Sequence, residues 1–372
     1  VTDIETARER IHKAINHIQP EITPANVYGF EEPGPWLEHF NAKDMAELSR
    51  VLGVDDFPDA PAVYRGPQIK PGLDIWGADY SWTGSEGAGY SSDRGGYPLS
   101  GMTTVREIEN YAWPRAADFD FSVVHPVLSN VPADRPLWIR PLYTFPSDDV
   151  DQTVSVRARR GEWLPVACTL LNLFGMEEAL MNIALEPKLV EAALAKIEEF
   201  IVDFCERTIT AANVDSEIVW FGDDFAAQNG MLLSPDHWRR FLKPTYARLF
   251  GLAKRRGMKV WFHACGTFRP VLPDLIDIGL DVWETSQVHL PGNEPDVLKR
   301  EYGGDITFYG AISTQTTLPH GTPEQVRAEV RERVRVLGKG GGYICSSDHS
   351  VMPDVPFENI VAMIDEARRA QP

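Results

Sequence analysis

The triplet His263-Ala264-Cys265 sets an imidazole and a thiol two residues apart at the end of a β-rich run, Lys259–Cys265 (KVWFHAC). In an extended strand, residues i and i+2 share a face and lie about 6–7 Å apart. The two side chains can therefore converge on one ion. Zinc takes imidazole nitrogen and thiolate sulfur in a tetrahedral set, and a catalytic zinc keeps one position open. An HxC pair alone fits a buried core pair at least as well, so a third ligand decides. The last β-rich run, Gly342–Asp348, offers Cys345 and, just beyond it, His349. These are roughly 13 Å apart along an extended chain, too far to serve one ion unless the chain turns sharply. His349 stands at the strand end and is the expected ligand; Cys345 lies deeper and reads as core. Glu284, near the end of the strand after His263, is a fourth ligand or an acid/base.

A second constellation is Asp223-Asp224, followed by Gln228. Adjacent carboxylates repel, which raises the pKa of one and suits it to proton transfer. The plainer reading is that one caps the next segment while the other meets solvent. A regular strand cannot turn both inward. Gln287, Gln315 and Asp348 also fall near strand ends, and Gln228 and Gln315 are candidate substrate contacts. His289 and His320 are expected in loops, solvated by default. Arg157, Arg159 and Arg160 meet either an anion or water. No GxSxG elbow is present, so a serine nucleophile is not indicated.

The elements that must position these groups alternate regularly. Ile218–Asp223 (IVWFGD) precedes a helix capped by Ser234 with Pro235 at its first position, running to about Arg256 and broken near Pro244. Lys259–Cys265, Asp281–Gln287, Ile306–Ile312 and Gly342–Asp348 read as strands. Each is followed by a helix, near 270–278, 295–302, 322–338 and 356–369. Thr322-Pro323-Glu324-Gln325 is a capping box. Upstream, Leu164–Leu171 (LPVACTLL) reads as a strand, followed by helix to Glu186 and a long helix from Pro187 to about Ala212. That makes six strand–helix units between 164 and 370. Two further strands are expected in 118–142, from FSVVHPVL and LWIRPL. Strand–helix alternation of this kind predicts a parallel sheet with helices outside. No glycine-rich dinucleotide fingerprint follows a first strand, which weighs against an open doubly wound sheet.

Residues 1–115 differ. His12–Ile18 and Asn41–Leu52 read as helices, and 71–97 is rich in Gly, Tyr and Trp. A stretch that long is either a lid over the site or a surface loop packed on its own aromatics. The expected organisation is an N-terminal extension over 1–115 and a (β/α)8 barrel over 116–372, forming one structural unit. A chain of 372 residues suits that plan.

The net charge of −18 repels phosphate backbones, so nucleic acid is not an expected partner. No apolar run reaches the roughly 18 residues of a membrane span, and the opening VTDIETARER has no apolar leader core. The four cysteines are few and scattered, which is not a disulfide framework. A cytoplasmic location is expected.

Four segments together carry a resemblance: FGDDFAAQNGMLLSPDHWRRFLKP, FHACGTFRPVLPDLIDIGLDVWETSQ, DITFYGAISTQTTLPHGTPEQVRAEV and GGGYICSSDHSVMPDVPFENIVAMIDEA. Over roughly 164–370 the chain resembles the uroporphyrinogen decarboxylase superfamily, within it the branch that includes corrinoid-dependent methyltransferases. The resemblance implies a (β/α)8 barrel. It implies that His263 and Cys265 match the HxC pair that holds zinc in that branch, with the later ligand, a Cys in the family, falling at His349. Zinc would then make a thiolate of a thiol substrate, with the methyl group exchanged with a corrinoid carried by a separate protein. A homodimer is also implied. The arginine- and glycine-rich N-terminal motif of true uroporphyrinogen decarboxylases is absent.

The expected function is therefore zinc-dependent methyl transfer of the corrinoid type. His263, Cys265 and His349 bind the metal, and Asp223 or Asp224 orients the substrate. The alternative is a metal-free, uroporphyrinogen-decarboxylase-like lyase on a carboxylated small molecule, with the aspartates moving the proton. A third reading is a non-catalytic barrel that keeps only the pocket.

Overall fold

The structure, a computed structural model, describes residues 5–70, 73–78, 96–146 and 162–372. Its centre is a five-stranded parallel sheet. Numbered along the chain, β1 is Ala62–Tyr64, β2 Phe119–Asp120, β3 Tyr143–Thr144, β4 Ile218–Gly222, β5 Ala226–Ala227, β6 Gly230–Met231, β7 Lys259–His263, β8 Val282–Ser286, β9 Thr307–Ile312 and β10 Tyr343–Ser347. The sheet runs in the order β10-β9-β8-β7-β4. Strands β4, β8, β9 and β10 are buried at every position, and β7 at all but its first. They are covered on both faces, so buried residues follow one another without alternation, with most of the polar ones (His263, Glu284, Thr285, Ser286, Ser346 and Ser347) gathered toward the C-terminal ends.

Backbone hydrogen bonds carry this sheet around into a ring. Cys345 N–H of β10 donates to Pro24, and Asn26 N–H returns to Cys345. Asp55 N–H donates to the Ala25 carbonyl, and Ala62 N–H of β1 to Leu142. Strand β1 pairs in parallel with β3. Ile139 N–H donates to Ile218 of β4, and Trp220 N–H returns to Ile139. Eight segments thus follow one another around a (β/α)8 barrel: 24–28, 55–64, 139–144, β4, β7, β8, β9 and β10. The first three are irregular because proline interrupts them. Pro24, Pro58, Pro61 and Pro141 have no N–H to give to a ladder.

The barrel is filled rather than hollow. The helix Ala7–Ile15, closed at its start by a Thr6–Glu9 capping box, lays Ile11, Ala14 and Ile15 against Ile218, Val282 and Ile344. Above that plug lies an aromatic layer. Phe57 stacks on Trp138 at 4.5 Å, Trp138 meets Trp261 edge-on at 5.6 Å, and Trp261 meets Tyr309 at 5.2 Å. Burial of each such side chain contributes about 1.5–3 kcal/mol.

Several expectations are corrected. Leu164–Leu171 is not a strand: 167–174 is the helix Ala167–Phe174. FSVVHPVL is a helical turn, Val124–Leu128, while LWIRPL does join the ring through Ile139. Between 164 and 370 the parallel sheet has five strands rather than six, and residues 24–28 and 55–64, expected in an extension, run beside the barrel strands. The helices are placed closely. Pro187–Ala212 matches its expected ends, and the expected break near Pro244 falls at Leu242, between Pro235–Phe241 and Lys243–Lys254. Of the segment 71–97 only 73–78 and 96–97 are described, so the choice there between a lid and a surface loop lies outside the described residues, as do Arg157, Arg159 and Arg160.

Candidate functional site

Strand β7 ends by delivering His263 to the barrel mouth, and the chain turns sharply three residues later. Gly266 sits at φ 86°, where a Cβ would come 2.5 Å from the Ala227 carbonyl oxygen. Only glycine fits that turn. It is held by Gln287, whose Oε1 accepts Gly266 N–H at 2.8 Å, and by Asn293, whose Nδ2 donates to the Gly266 carbonyl. Cys265 is left facing back over the barrel with its Sγ 3.4 Å from His263 Nε2. His349, beyond the end of β10, completes the group. One donor atom from each of His263, Cys265 and His349 lies within 4.8 Å of the others. Cys345 stays outside it, fully buried in β10, with burial pushing its thiol up to about 12.

Glu284 on β8 sits beneath. Its Oε2 accepts Trp220 Nε1–H at 2.9 Å and lies 3.1 Å from His263 Nδ1, and its Oε1 accepts Trp261 Nε1–H at 2.9 Å. The carboxylate thus rests on the aromatic layer and faces the Nδ1 side of His263, which orients the ring with Nε2 turned to the thiol. A carboxylate behind the far nitrogen of a ligating imidazole is the usual support of a histidine metal ligand. Strand β8 reaches this arrangement through a bulge between Glu284 and Ser286. Thr285 takes φ 65° there, a left-handed conformation costly for a β-branched residue, about 1–3 kcal/mol. Its hydroxyl bonds the Ala264 carbonyl at 3.0 Å and lies 3.8 Å from Cys265 Sγ.

The two aspartates part company. Asp224 turns to the thiol, its Oδ1 accepting Cys265 N–H at 2.9 Å and lying 3.7 Å from His263 Nε2. Asp223 turns away and is fully buried. It accepts the N–H groups of Val166, Ala167 and Cys168 at 2.8, 2.6 and 3.1 Å, and the Tyr246 hydroxyl at 2.7 Å. It anchors the start of the helix Ala167–Phe174. Gln228 is exposed in the turn between β5 and β6, and Gln315 is exposed after β9, beside His289.

Tyr28 and Arg140 had no sequence signal, and His289 is a correction. Tyr28 stands between the two imidazoles, with ring centroids 5.4 Å from His263 and 5.3 Å from His349, and its hydroxyl is 3.1 Å from His263 Nδ1. Arg140 reaches inward from the third segment to an ion pair with Asp59. His289, expected to be solvated, is mostly enclosed and pairs with the buried Asp348 at 3.0 Å; Asp348 also accepts from Thr314.

The electrostatics of the cluster favour a cation at its centre. Burial presses the His263 imidazole toward neutrality, but Cys265, Glu284 and Asp224 overcome it and hold the ring well above its ordinary value. Burial and Asp224 press the Cys265 thiol upward, and the two imidazoles overcome them and hold it below the usual thiol range. A proton supplies the positive charge that a metal would otherwise bring. Two borderline nitrogens, one thiolate and an oriented second carboxylate are a donor set that suits zinc.

The fold and this constellation define a (β/α)8 barrel with a Cys-His pair at the strand ends, where barrels carry their sites. The family model described as uroporphyrinogen decarboxylase (URO-D) matches residues 166–370, more than half the chain. The protein belongs to the uroporphyrinogen decarboxylase family. Among curated proteins it is similar to the methylated-thiol–coenzyme M methyltransferase of Methanosarcina mazei, 24% identical over 253 residues, which are 62% of this chain and 64% of that protein. It is also similar to the uroporphyrinogen decarboxylase of Thermus thermophilus, 28% identical over 134 residues, 36% of this chain and 37% of that one. In each case the match spans less than two thirds of the relative's length. A solved methyltransferase from Methanosarcina mazei shares the fold, with a TM-score of 0.65 at 16% identity over 98% of this chain and 99% of that one.

Proposed function

We propose that the protein is a zinc-dependent methyltransferase that moves a methyl group between a small thiol and a corrinoid carried by a separate protein. The observation that carries this reading is the convergence of His263, Cys265 and His349 on one point within 4.8 Å. The similarity to a methylated-thiol–coenzyme M methyltransferase supports it.

His263, Cys265 and His349 would hold the metal, which would act on a thiol substrate. Bound zinc lowers the pKa of a coordinated thiol, so that the thiolate, the stronger nucleophile, is the form present at neutral pH. The chain's own residues do the rest. Glu284 faces the Nδ1 side of His263, so that Nε2 is the ligating nitrogen. Tyr28 braces both imidazoles against rotation. Asp224 pins Cys265 through its backbone N–H, and its Oδ1 stands beside the cluster where an incoming thiol gives up its proton.

The test is metal content together with methyl transfer. The parent should carry about one zinc per chain and exchange methyl groups between methylcobalamin and a thiol. Cys265→Ser should lose both while remaining folded. A parent that takes up no zinc on incubation sinks the proposal and leaves the metal-free lyase on a carboxylated substrate as the better reading.

A further inference from the structure

The loop 287–293, which follows β8, ties together two parts of the donor cluster that lie on different strands. On one side it holds the turn that carries Cys265. Gln287 Oε1 accepts Gly266 N–H at 2.8 Å, and Asn293 Nδ2 donates to the Gly266 and Gln287 carbonyls at 3.2 Å each. Bonds from Leu290 N–H to Gln287 and from Asn293 N–H to Leu290 brace the loop internally. On the other side His289 reaches across the end of β9 to the end of β10, where its Nδ1 forms an ion pair with Asp348 Oδ2 at 3.0 Å. Oδ1 of the same carboxylate accepts the N–H and the hydroxyl of Thr314, just beyond β9, at 2.9 and 2.7 Å. Oδ2 has no partner but His289 among the described residues.

Asp348 is the residue before His349. Its N–H donates to the Ile312 carbonyl at the end of β9, and the chain is held again at Val351, whose N–H donates to Gly29. His349 stands in the short span between these two anchors. Along a strand, consecutive side chains leave on opposite faces. Here Asp348 turns to the loops after β8 and β9, while His349 turns to Cys265, His263 and Tyr28. Fixing the carboxylate therefore fixes the backbone from which the imidazole departs. Asp348 is fully buried and His289 is 18% exposed. An enclosed ion pair adds little stability over an apolar pair of the same shape, so what this one contributes is direction.

We propose that the loop 287–293 is a clasp that sets the spacing of the donor cluster, and that His289 is the positioning residue that holds His349 within reach of His263 and Cys265, acting through Asp348. The contact geometry belongs to the chain itself. Its consequence for metal binding rests on the zinc reading above.

Titration with cobalt(II) tests this. Cobalt(II) takes the same kinds of donor as zinc and absorbs visible light according to its ligands, so one titration reads both affinity and ligand set. His289→Phe keeps a flat ring but removes the donor to Asp348. It should weaken cobalt(II) binding about tenfold and diminish the visible bands, while the thiolate-to-cobalt band of Cys265 persists. His289→Asn, which keeps an N–H donor, should recover both. On a His349→Ala background, His289→Phe should cost nothing further, because the residue it acts through is gone. No loss in His289→Phe, or an equal loss on both backgrounds, overturns the proposal. If His289→Phe does not fold, His289→Ala is read in the same way. A wild type that takes up no cobalt(II) defeats the metal reading alone. The clasp is then decided in the metal-free protein by the nuclear Overhauser contact between the rings of Tyr28 and His349, which stack with centroids 5.3 Å apart. Loss of that contact in His289→Phe and its return in His289→Asn support the clasp, and its persistence in His289→Phe overturns it.

Discussion

Glu284 carries more of the candidate site than any ligand does. One carboxylate accepts two indole N–H groups and faces the far nitrogen of His263, so its charge is satisfied before any metal arrives. Glu284→Gln keeps the shape but replaces one acceptor with an amide N–H that must face a donor. Zinc affinity should fall about 10–100-fold, the usual effect of losing such a support, with little change in fold. Chelator competition on parent and variant measures it, and equal affinities would remove Glu284 from the site. At this scale the sequence was informative where chemistry sits on one strand or at a strand's end. His263 and Cys265 are two residues apart, and His349 follows the last strand. It was silent on Tyr28, 235 residues from its partner His263, and on Arg140. Each is a lone polar residue in an irregular, proline-flanked segment with no spacing pattern to mark it. The pair Asp223-Asp224 was visible as a pair, but only the fold shows which one turns to the cluster.

Elements explain why Asp223 turned the other way. The helix Ala167–Phe174 has no capping side chain of its own, and Asp223, at the end of β4, supplies the acceptor for its first N–H groups. Asp223→Ala leaves those donors and the Tyr246 hydroxyl unpaired in a buried place, which should cost about 3 kcal/mol or more. Urea denaturation reads the loss; a change within error would show that water replaces the carboxylate. The same arrangement accounts for the misread strand. LPVACTLL is a short apolar run, which periodicity cannot assign between a buried strand and a buried helix, and the deciding partner lies about 55 residues away. The regular strands were legible because burial on both faces writes a short β-rich run without polar alternation until its C-terminal end. The segments 24–28 and 55–64 were not, because proline removes the pattern along with the ladder. The turn at 73–78 gives a pH-dependent case. Asp74 accepts the N–H groups of Trp76 and Ala78 through Oδ1, and burial raises its carboxyl to about 7, against the pull of those N–H groups. A raised carboxyl favours folding while protonated. Its contribution is complete below the unfolded value near 3.8 and is lost as pH climbs to about 7. Asp74→Asn, which keeps the acceptor, should match the parent at pH 4 and exceed its stability at pH 8 by on the order of 1–4 kcal/mol. Denaturation profiles that stay parallel across that range would contradict the assignment.

Across the whole molecule, the ring of hydrogen bonds makes segments 24–28 and 55–64 part of the barrel's wall. Segment 24–28 pairs with β10 through Cys345 and meets Asp55 through Ala25, while the helix Ala7–Ile15 fills the end of the barrel opposite the cluster. Gly342 N–H and the Thr307 hydroxyl both bond the Ala14 carbonyl there. Phe57, from the second segment, closes the aromatic layer against Trp138 and Trp261. A barrel closed within 116–372, with 1–115 as an extension, and the ring seen here therefore predict different behaviour on shortening. A chain limited to residues 116–372 loses two of eight ring segments and exposes the unpaired edge of β10, the inner face of Trp261 and the floor beneath Glu284. Open parallel edges and exposed aromatic layers favour aggregation over a unique fold. Such a chain should show no cooperative thermal transition and take up no zinc, since Tyr28 and the wall behind the ligands are gone. If 116–372 instead melts cooperatively and retains zinc, the barrel closes without its first two segments. The hydrogen bonds at Ala25, Cys345, Asp55 and Ala62 would then be docking contacts between separable parts.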